Sequence, residues 1–328
     1  MENTHLSSRE IVCRAIEFGN PPRVPVLYFN KDIGNSDIIS THYATPHGFA
    51  PSRPGATEWG YTWQTLDGTM GQPVGCPLED ISNLADYVPP DPFAPGRLDH
   101  VGRFVAENSG KFLVLGLGIT GFDQAIFLRG LEGFLMDLHL DRASAERVLD
   151  MVFGFENGII TRAGEHPLDC IKFADDWGTQ NGTIVSPETW REVFKPRYAR
   201  QFELVHKTGS KVWFHTCGNV YPIIGDLIDI GVDVLELLQP DLLGIDNLAR
   251  DFGGKVCFCC SVDHQRVALS GTRDEIFAYA EALVRKLGSF GGGFIAYIED
   301  YSCLGMSEQN YRWICEAFDL HGKAGYSG

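Results

Sequence analysis

Basic charge is scarce in this chain. Lys and Arg together number 27 against 43 Asp and Glu, the formal net charge is −16, and no run of basic residues forms. That balance excludes a nucleic-acid face and favours a small organic substrate or a protein partner. Long apolar runs are missing too, and none reaches the ~20 residues that a membrane-crossing helix needs. The opening MENTHLSSREIVCRAIEFG lacks the basic-then-apolar order of a secretory signal, so a cytoplasmic protein is expected. In that setting the nine cysteines are expected as free thiols, some of them available to metal. A hydrophobic content of 44% with 21% charged residues describes a globular chain that buries a sizeable core.

What is present is a regular series of apolar runs. Strands are expected at 24–29, 57–63, 112–118, 170–175, 211–215, 233–237, 256–261 and 293–298. Helical periodicity separates most of them. SSREIVCRAIEF (7–18) reads as a helix with Ser8 as candidate cap, closed by Gly19 and Pro21-Pro22. Ser186-Pro187 opens a helix expected to continue to Gly209. Thr272 with Glu275 has the spacing of a capping box, and Ser307 with Asn310 opens the last helix. Residues 31–56 and 67–100, rich in Gly, Ser, Pro and Asp, read as loops, the second with a short helix near 79–86. Eight strands, apolar along their length and alternating with helices, indicate a single (β/α)8 TIM barrel over 1–328. Its elaborated N-terminal region (1–110) would lay long loops over the barrel mouth, and regular β/α units would fill 111–320. A doubly wound sheet is the alternative, with LGLGITG (115–121) the nearest approach to a phosphate-binding loop.

Working residues of such a barrel lie at the C-terminal strand ends. There the run KVWFHTCGNV (211–220) places His215 and Cys217 on one side of its strand, as two ligands of one ion must be. Glu236 ends the next expected strand, Asp263 the one after, and Glu299, Asp300 and Cys303 follow the last. Thiolate and imidazole select zinc over magnesium or calcium. His215, Cys217 and Cys303 are taken as firm ligands and Glu236 as an exchangeable fourth, the pattern of a catalytic site. Asp175 and Asp176, heading DDWGTQ (175–180), are candidates for proton transfer or substrate orientation; helix capping is the plainer reading. Tyr28, Asn30, Gln180, Gln239 and Glu299 are candidate substrate contacts at the same mouth. Cys257, Cys259 and Cys260 lie inside an apolar run and read as core. Trp59, Tyr61 and Trp63 are either core or a cover for a flat ligand.

These runs carry a resemblance. REIVCRAIEFGNPPRVPV (9–26), DDWGTQNG (175–182), SPETWREVFKPRYARQF (186–202), HTCGNVYPIIGDLIDIGVDVLELLQP (215–240) and GGGFIAYIEDYSCLGMSEQNY (291–311) resemble the uroporphyrinogen decarboxylase-like superfamily. Its members are (β/α)8 barrels. The arginine-rich RQAGRY-type motif of the decarboxylase is replaced by YFNKDIGNSD (28–37), which argues against porphyrinogen decarboxylation. The H-x-C pair with a later Cys is similar instead to zinc methyltransferases that work with corrinoid proteins, such as methylcobamide:coenzyme M methyltransferase. That resemblance implies zinc on His215, Cys217 and Cys303, with Glu236 as the labile carboxylate. It also implies cobalamin carried by a separate corrinoid-binding protein, in keeping with the lack of a D-x-H-x-x-G motif. The long interval from Cys217 to Cys303, and LGMSEQN after it, make coenzyme M itself a poor expectation for the thiol. Two other readings stay open: a metal-independent decarboxylase using Asp175 or Asp176, and a non-catalytic barrel that binds a tetrapyrrole or a corrinoid protein.

Overall fold

The computed structural model describes residues 6–65 and 71–323, so the part of the expected loop at 67–70 lies outside the described residues. Ten strands occur among them: β1 (Val26–Tyr28), β2 (Ile38–His42), β3 (Thr62–Gln64), β4 (Gln72–Val74), β5 (Phe112–Ile119), β6 (Cys170–Ala174), β7 (Lys211–His215), β8 (Val234–Leu237), β9 (Cys257–Cys260) and β10 (Phe294–Ile298). β3 and β4 form a separate antiparallel hairpin. The other eight run parallel in the order β1-β10-β9-β8-β7-β6-β5-β2, with helices outside, which is the (β/α)8 barrel. The seam between β1 and β2 is bridged by Asp37, with Ser36 Oγ accepting the Tyr28 amide at 3.1 Å. Asp37 donates its amide to Val26 O at 2.9 Å and accepts the Val26 amide on Oδ2 at 2.9 Å. Arg23 and Ser8 hold that carboxylate, each through contacts of 2.6 Å.

Alternation sorts the strand residues. Leu27, Phe112, Val114, Trp213, Val234 and Ile295 fill the barrel interior, and Val12 and Ile16 of the helix Ser8–Ile16 plug its N-terminal end. Neighbours of opposite parity pack outward. Phe173 and Phe214 meet Phe202 and Tyr198 of the helix Lys195–Lys207, and Trp177 packs on Phe122 and Phe194. All of these rings are buried.

Seven expected strands coincide with observed ones to within two residues. The second does not. It is β2, inside the stretch expected to be a loop, and 57–63 contributes only to the hairpin. Ile38-Ile39-Ser40-Thr41-His42 is short and flanked by polar residues, so its apolar signal is weak. TEWGYTW is aromatic but bends at Gly60 (φ +96°). Its rings serve helix packing: Trp59 meets Phe155, and Tyr61 and Trp63 meet Phe127. This N-terminal elaboration is thereby anchored to the helices Gly121–Arg129 and Arg142–Ala163, and Trp59 and Tyr61 are core. GLGITG (116–121) does have G-x-G-x-x-G spacing, yet Gly116 and Gly118 lie within β5, and Gly116 leaves room for the His42 ring.

Two helix boundaries also move. Ser7, not Ser8, caps the first helix, because only Ser7 has Glu10 three residues on to complete the capping box. The helix after Ser186 stops at Val193 and restarts at Lys195, since Pro196 has no amide to donate back across the break. No helix among the described residues is long and apolar enough to cross a membrane.

Candidate metal centre

The centre is built where β6, β7 and β8 end. His215 closes β7 with its ring facing the barrel interior, in register with Ala174 of β6 and Glu236 of β8. The chain then steps through Thr216, whose Oγ1 accepts the Trp177 amide at 3.1 Å, and returns Cys217 to the same side. Cys217 Sγ lies 3.6 Å from His215 Nε2. Asp176, two residues beyond β6, brings Oδ1 to 3.6 Å from His215 Nε2, and the same oxygen accepts the Cys217 amide at 2.8 Å. One imidazole nitrogen, one sulfur and one carboxylate oxygen thus lie within 4.8 Å of one another. All three side chains are half-buried.

The loops after β6 and β7 must touch backbone to backbone to achieve this. Gly178 N donates to Cys217 O at 3.0 Å, and Asn219 N to Thr179 O at 2.7 Å. Gly218 has φ +76°, and a Cβ there would sit 2.2 Å from the Gly178 carbonyl. Gln239 Oε1 accepts the Gly218 amide at 3.1 Å and steadies the turn.

Behind the donors lies a buried charge network. Glu236 is 1% exposed and takes three donors: His215 Nδ1 at 2.8 Å, Lys172 Nζ at 2.6 Å and Trp213 Nε1 at 2.6 Å. Burial pushes the Glu236 carboxyl up, but Lys172 and His215 hold it at about 2, so it is ionised. His215 Nδ1 therefore donates to Glu236, and Nε2 faces Cys217 and Asp176. Burial opposes charge on His215, yet Cys217 and Glu236 raise its pKa well above the ordinary histidine value. Burial also pushes the Cys217 thiol up, against the pull of that ring. A metal ion would reverse both tendencies by taking the place of the shared proton. Nitrogen, sulfur and oxygen donors at this spacing, with the imidazole backed by a carboxylate, fit zinc.

A family model for uroporphyrinogen decarboxylase (URO-D) matches residues 68–318. The chain belongs to this family. A comparison with curated proteins finds no match. Among solved structures, a methyltransferase from Methanosarcina mazei aligns over 96% of this chain and 99% of its own, with a TM-score of 0.69 at 16% identity. D-psicose 3-epimerase, solved in the presence of D-fructose, aligns over 73% of this chain and 85% of its own, with a TM-score of 0.43 at 12% identity. A glycosylated endo-β-1,4-xylanase from Gloeophyllum trabeum covers 67% of this chain and 79% of its own, with a TM-score of 0.42 at 12% identity. The first likeness shows the barrel that this URO-D family member shares with that enzyme; the other two are too distant to bear on the argument.

The residues expected at the site are distributed as follows. His215, Cys217 and Asp176 converge. Glu236 is beside them, but its oxygens serve His215, Lys172 and Trp213. Cys303 lies on an exposed turn, Ser302–Leu304, outside the three-donor cluster. Asp175 is fully buried and points away from the donors. Its oxygens accept the Phe122 and Asp123 amides at 2.9 and 2.8 Å and the Tyr198 hydroxyl, so it caps the helix Gly121–Arg129. Tyr28 has outward parity on β1 and its hydroxyl meets Cys315 of the helix Glu308–Lys323, away from the mouth. Asn30 pairs with both backbone groups of Asp300, at 2.7 and 3.0 Å, and ties β1 to β10. Gln180 is exposed in the turn after Gly178. Glu299 is half-buried under the Tyr297 hydroxyl, at 2.8 Å.

Lys172, Asp123 and His42, all at this end, were not anticipated. Lys172, a lone lysine in the apolar run CIKFA, and Glu236, a lone acid in VLEL, carried a readable signal: opposite charges inside apolar strands need each other. Asp123 accepts the Asp176 amide at 2.8 Å, and burial with the nearby Asp176 charge raises it to about 7. His42, on β2, was hidden by the misplaced second strand.

Proposed function

We propose that this URO-D family member is a zinc-dependent methyltransferase. It would move a methyl group between cobalamin on a corrinoid-binding partner protein and a small substrate: a methyl ether or amine as donor, or a thiol as acceptor. The observation that carries the reading is the triad of His215 Nε2, Cys217 Sγ and Asp176 Oδ1 at the mouth of the barrel, with Nδ1 of the histidine held by a buried, ionised Glu236. The fold shared with the methyltransferase from Methanosarcina mazei supports it. All nine cysteines are unpaired, which fits a reducing cytoplasmic setting.

His215, Cys217 and Asp176 would hold the metal, and Cys303, from its exposed turn, is the further ligand that the sequence resemblance proposes. Zinc supplies Lewis acidity: it lowers the pKa of a bound thiol or polarises the heteroatom that bears the methyl group. The chain's own residues prepare the site for that. Glu236 fixes the imidazole tautomer and ring plane, Lys172 balances the Glu236 charge, and the Gly178–Gly218 contact sets the spacing of Asp176 and Cys217.

A metal-independent decarboxylation through Asp175 or Asp176 is the competing reading. For Asp175 it is disfavoured because both oxygens are engaged by backbone amides and by Tyr198, and for Asp176 because its Oδ1 takes the Cys217 amide beside His215 Nε2. The test is spectroscopic. The protein is mixed with methylated or Co(I) corrinoid, and thiols, aryl methyl ethers and methylamines are offered while cobalt absorbance is followed. A zinc-dependent change of cobalt state is expected with one class. No change with any class, or undiminished turnover by metal-free protein, overturns the proposal.

A further inference from the structure

At the mouth, the ends of β1 and β10 place an aromatic face beside a carboxylate. Phe29 follows β1, donates its amide to Ile298 O at 3.0 Å, and is 47% exposed. Its ring stacks on Tyr297, with centroids 5.8 Å apart and planes at 28°, and about half of the side chain remains exposed. The Tyr297 hydroxyl donates to Glu299 Oε2 at 2.8 Å. Tyr297 has inward parity on β10, as Ile295 does, and Glu299 continues that parity two residues on.

The charges here are not balanced. Lys172, whose Nζ lies 6.0 Å from the Phe29 ring, is committed to Glu236 at 2.6 Å. His264 stacks on Tyr301, and its Nδ1 lies 2.9 Å from the Leu238 carbonyl. No Lys, Arg or His forms an ion pair with Glu299 among the described residues. Burial raises the Glu299 pKa, the Tyr297 and Tyr301 hydroxyls and the nearby His264 ring oppose the rise, and the charge of Glu236 adds to it. A half-buried carboxylate with no ion-pair partner, next to a half-exposed aromatic ring, is complementary to an organic cation. The carboxylate gains the missing charge, and the ring face attracts an ammonium through its quadrupole.

We propose that Glu299 and the half-exposed ring of Phe29 form a subsite for a small organic ammonium, the methylated-amine class of substrate. This assignment rests on the methyltransferase reading above and narrows it from ethers, amines and thiols to cations.

The experiment is calorimetric titration of the full-length, zinc-loaded protein with choline and with its uncharged isostere 3,3-dimethylbutan-1-ol. Choline is expected to bind about ten-fold or more tightly than the alcohol. Glu299→Gln is expected to abolish that preference while leaving the affinity for the alcohol unchanged, and Glu299→Asp to retain it. Phe29→Leu lowers choline affinity without reversing the preference. Equal binding of the two probes, an unaltered choline affinity in Glu299→Gln, preference for the anion 3,3-dimethylbutanoate, or no choline binding at millimolar concentration overturns the assignment. The readout uses no corrinoid and no methyl transfer. Choline binding without any cobalt response therefore refutes the reaction and leaves the subsite, and a cobalt response with thiols or ethers alone does the reverse.

Discussion

Glu236→Gln removes one negative charge from a position that is 1% exposed, while keeping the size of the side chain. The carboxylate receives His215 Nδ1, Lys172 Nζ and Trp213 Nε1. Glutamine has a single acceptor oxygen, and its NH2 must face one of those donors. At least one buried donor then lacks a partner, and Lys172 lacks its counterion. The magnitude follows from the carboxyl group. Against burial, Lys172 and His215 draw its pKa from 4.5 to about 2. At about 1.4 kcal/mol per unit, the ionised form contributes roughly 3 kcal/mol. Because the folded pKa lies below the unfolded one, that contribution is complete above pH 4.5 and is lost as pH falls towards 2. Denaturant unfolding at pH 7 should find the variant less stable by about 3 kcal/mol, with the gap narrowing below pH 4.5 as far as both proteins refold reversibly. Zinc affinity should fall by about 10–100-fold, since the histidine loses the group that orients it. A variant within about 1 kcal/mol of wild type at pH 7, or a gap that does not change with pH, refutes the reasoning.

Gly218→Ala should cost more than about 2 kcal/mol and lower zinc affinity, because its Cβ collides with the Gly178 carbonyl at 2.2 Å and φ is +76°; thermal unfolding and metal titration check both. Asp175→Asn should destabilise by about 1–3 kcal/mol in denaturant unfolding, because its NH2 must face an amide donor of Phe122 or Asp123. Glu156 is buried, accepts the Gly121 amide and the Gln201 side chain, and is raised by burial to about 7. Its raised folded pKa makes ionisation unfavourable to folding, so stability relative to Glu156→Gln should fall as pH rises from 4.5 to about 7, by up to roughly 3 kcal/mol.

The barrel was legible because strands buried on both faces read as plain apolar runs, and seven such runs end within one residue of the observed strands. β2 escaped because Ile38-Ile39-Ser40-Thr41-His42 buries only Ile38, half-buries Ile39 and Thr41 and exposes Ser40 and His42, so nothing marks it off from its polar flanks. The pairing of His215 with Cys217 was legible from two-residue alternation alone. The roles of Asp175 and Asp176 were not. Adjacent residues at a strand end point opposite ways, and which one faces the barrel depends on where β6 stops and where the amides of the helix Gly121–Arg129 arrive, some fifty residues earlier in the chain. The three donors that Glu236 receives come from two other strands, β6 and β7, so its place behind His215 depends on the register of β6, β7 and β8. Glu236 as a single acid in an apolar run announced burial, but not its partners. Tyr28 was misplaced by one residue of parity: Leu27 faces inward, so Phe29 and not Tyr28 reaches the mouth.

The most direct test of the metal centre is the zinc content of protein purified without added metal, for wild type, Cys217→Ala and Cys303→Ala. The account predicts about one zinc per wild-type chain and its loss in Cys217→Ala, and zinc retained in Cys303→Ala would leave Asp176 as the third protein ligand. Wild-type protein that takes up no zinc even when it is supplied, or Cys217→Ala that holds it as tightly as wild type, contradicts the account.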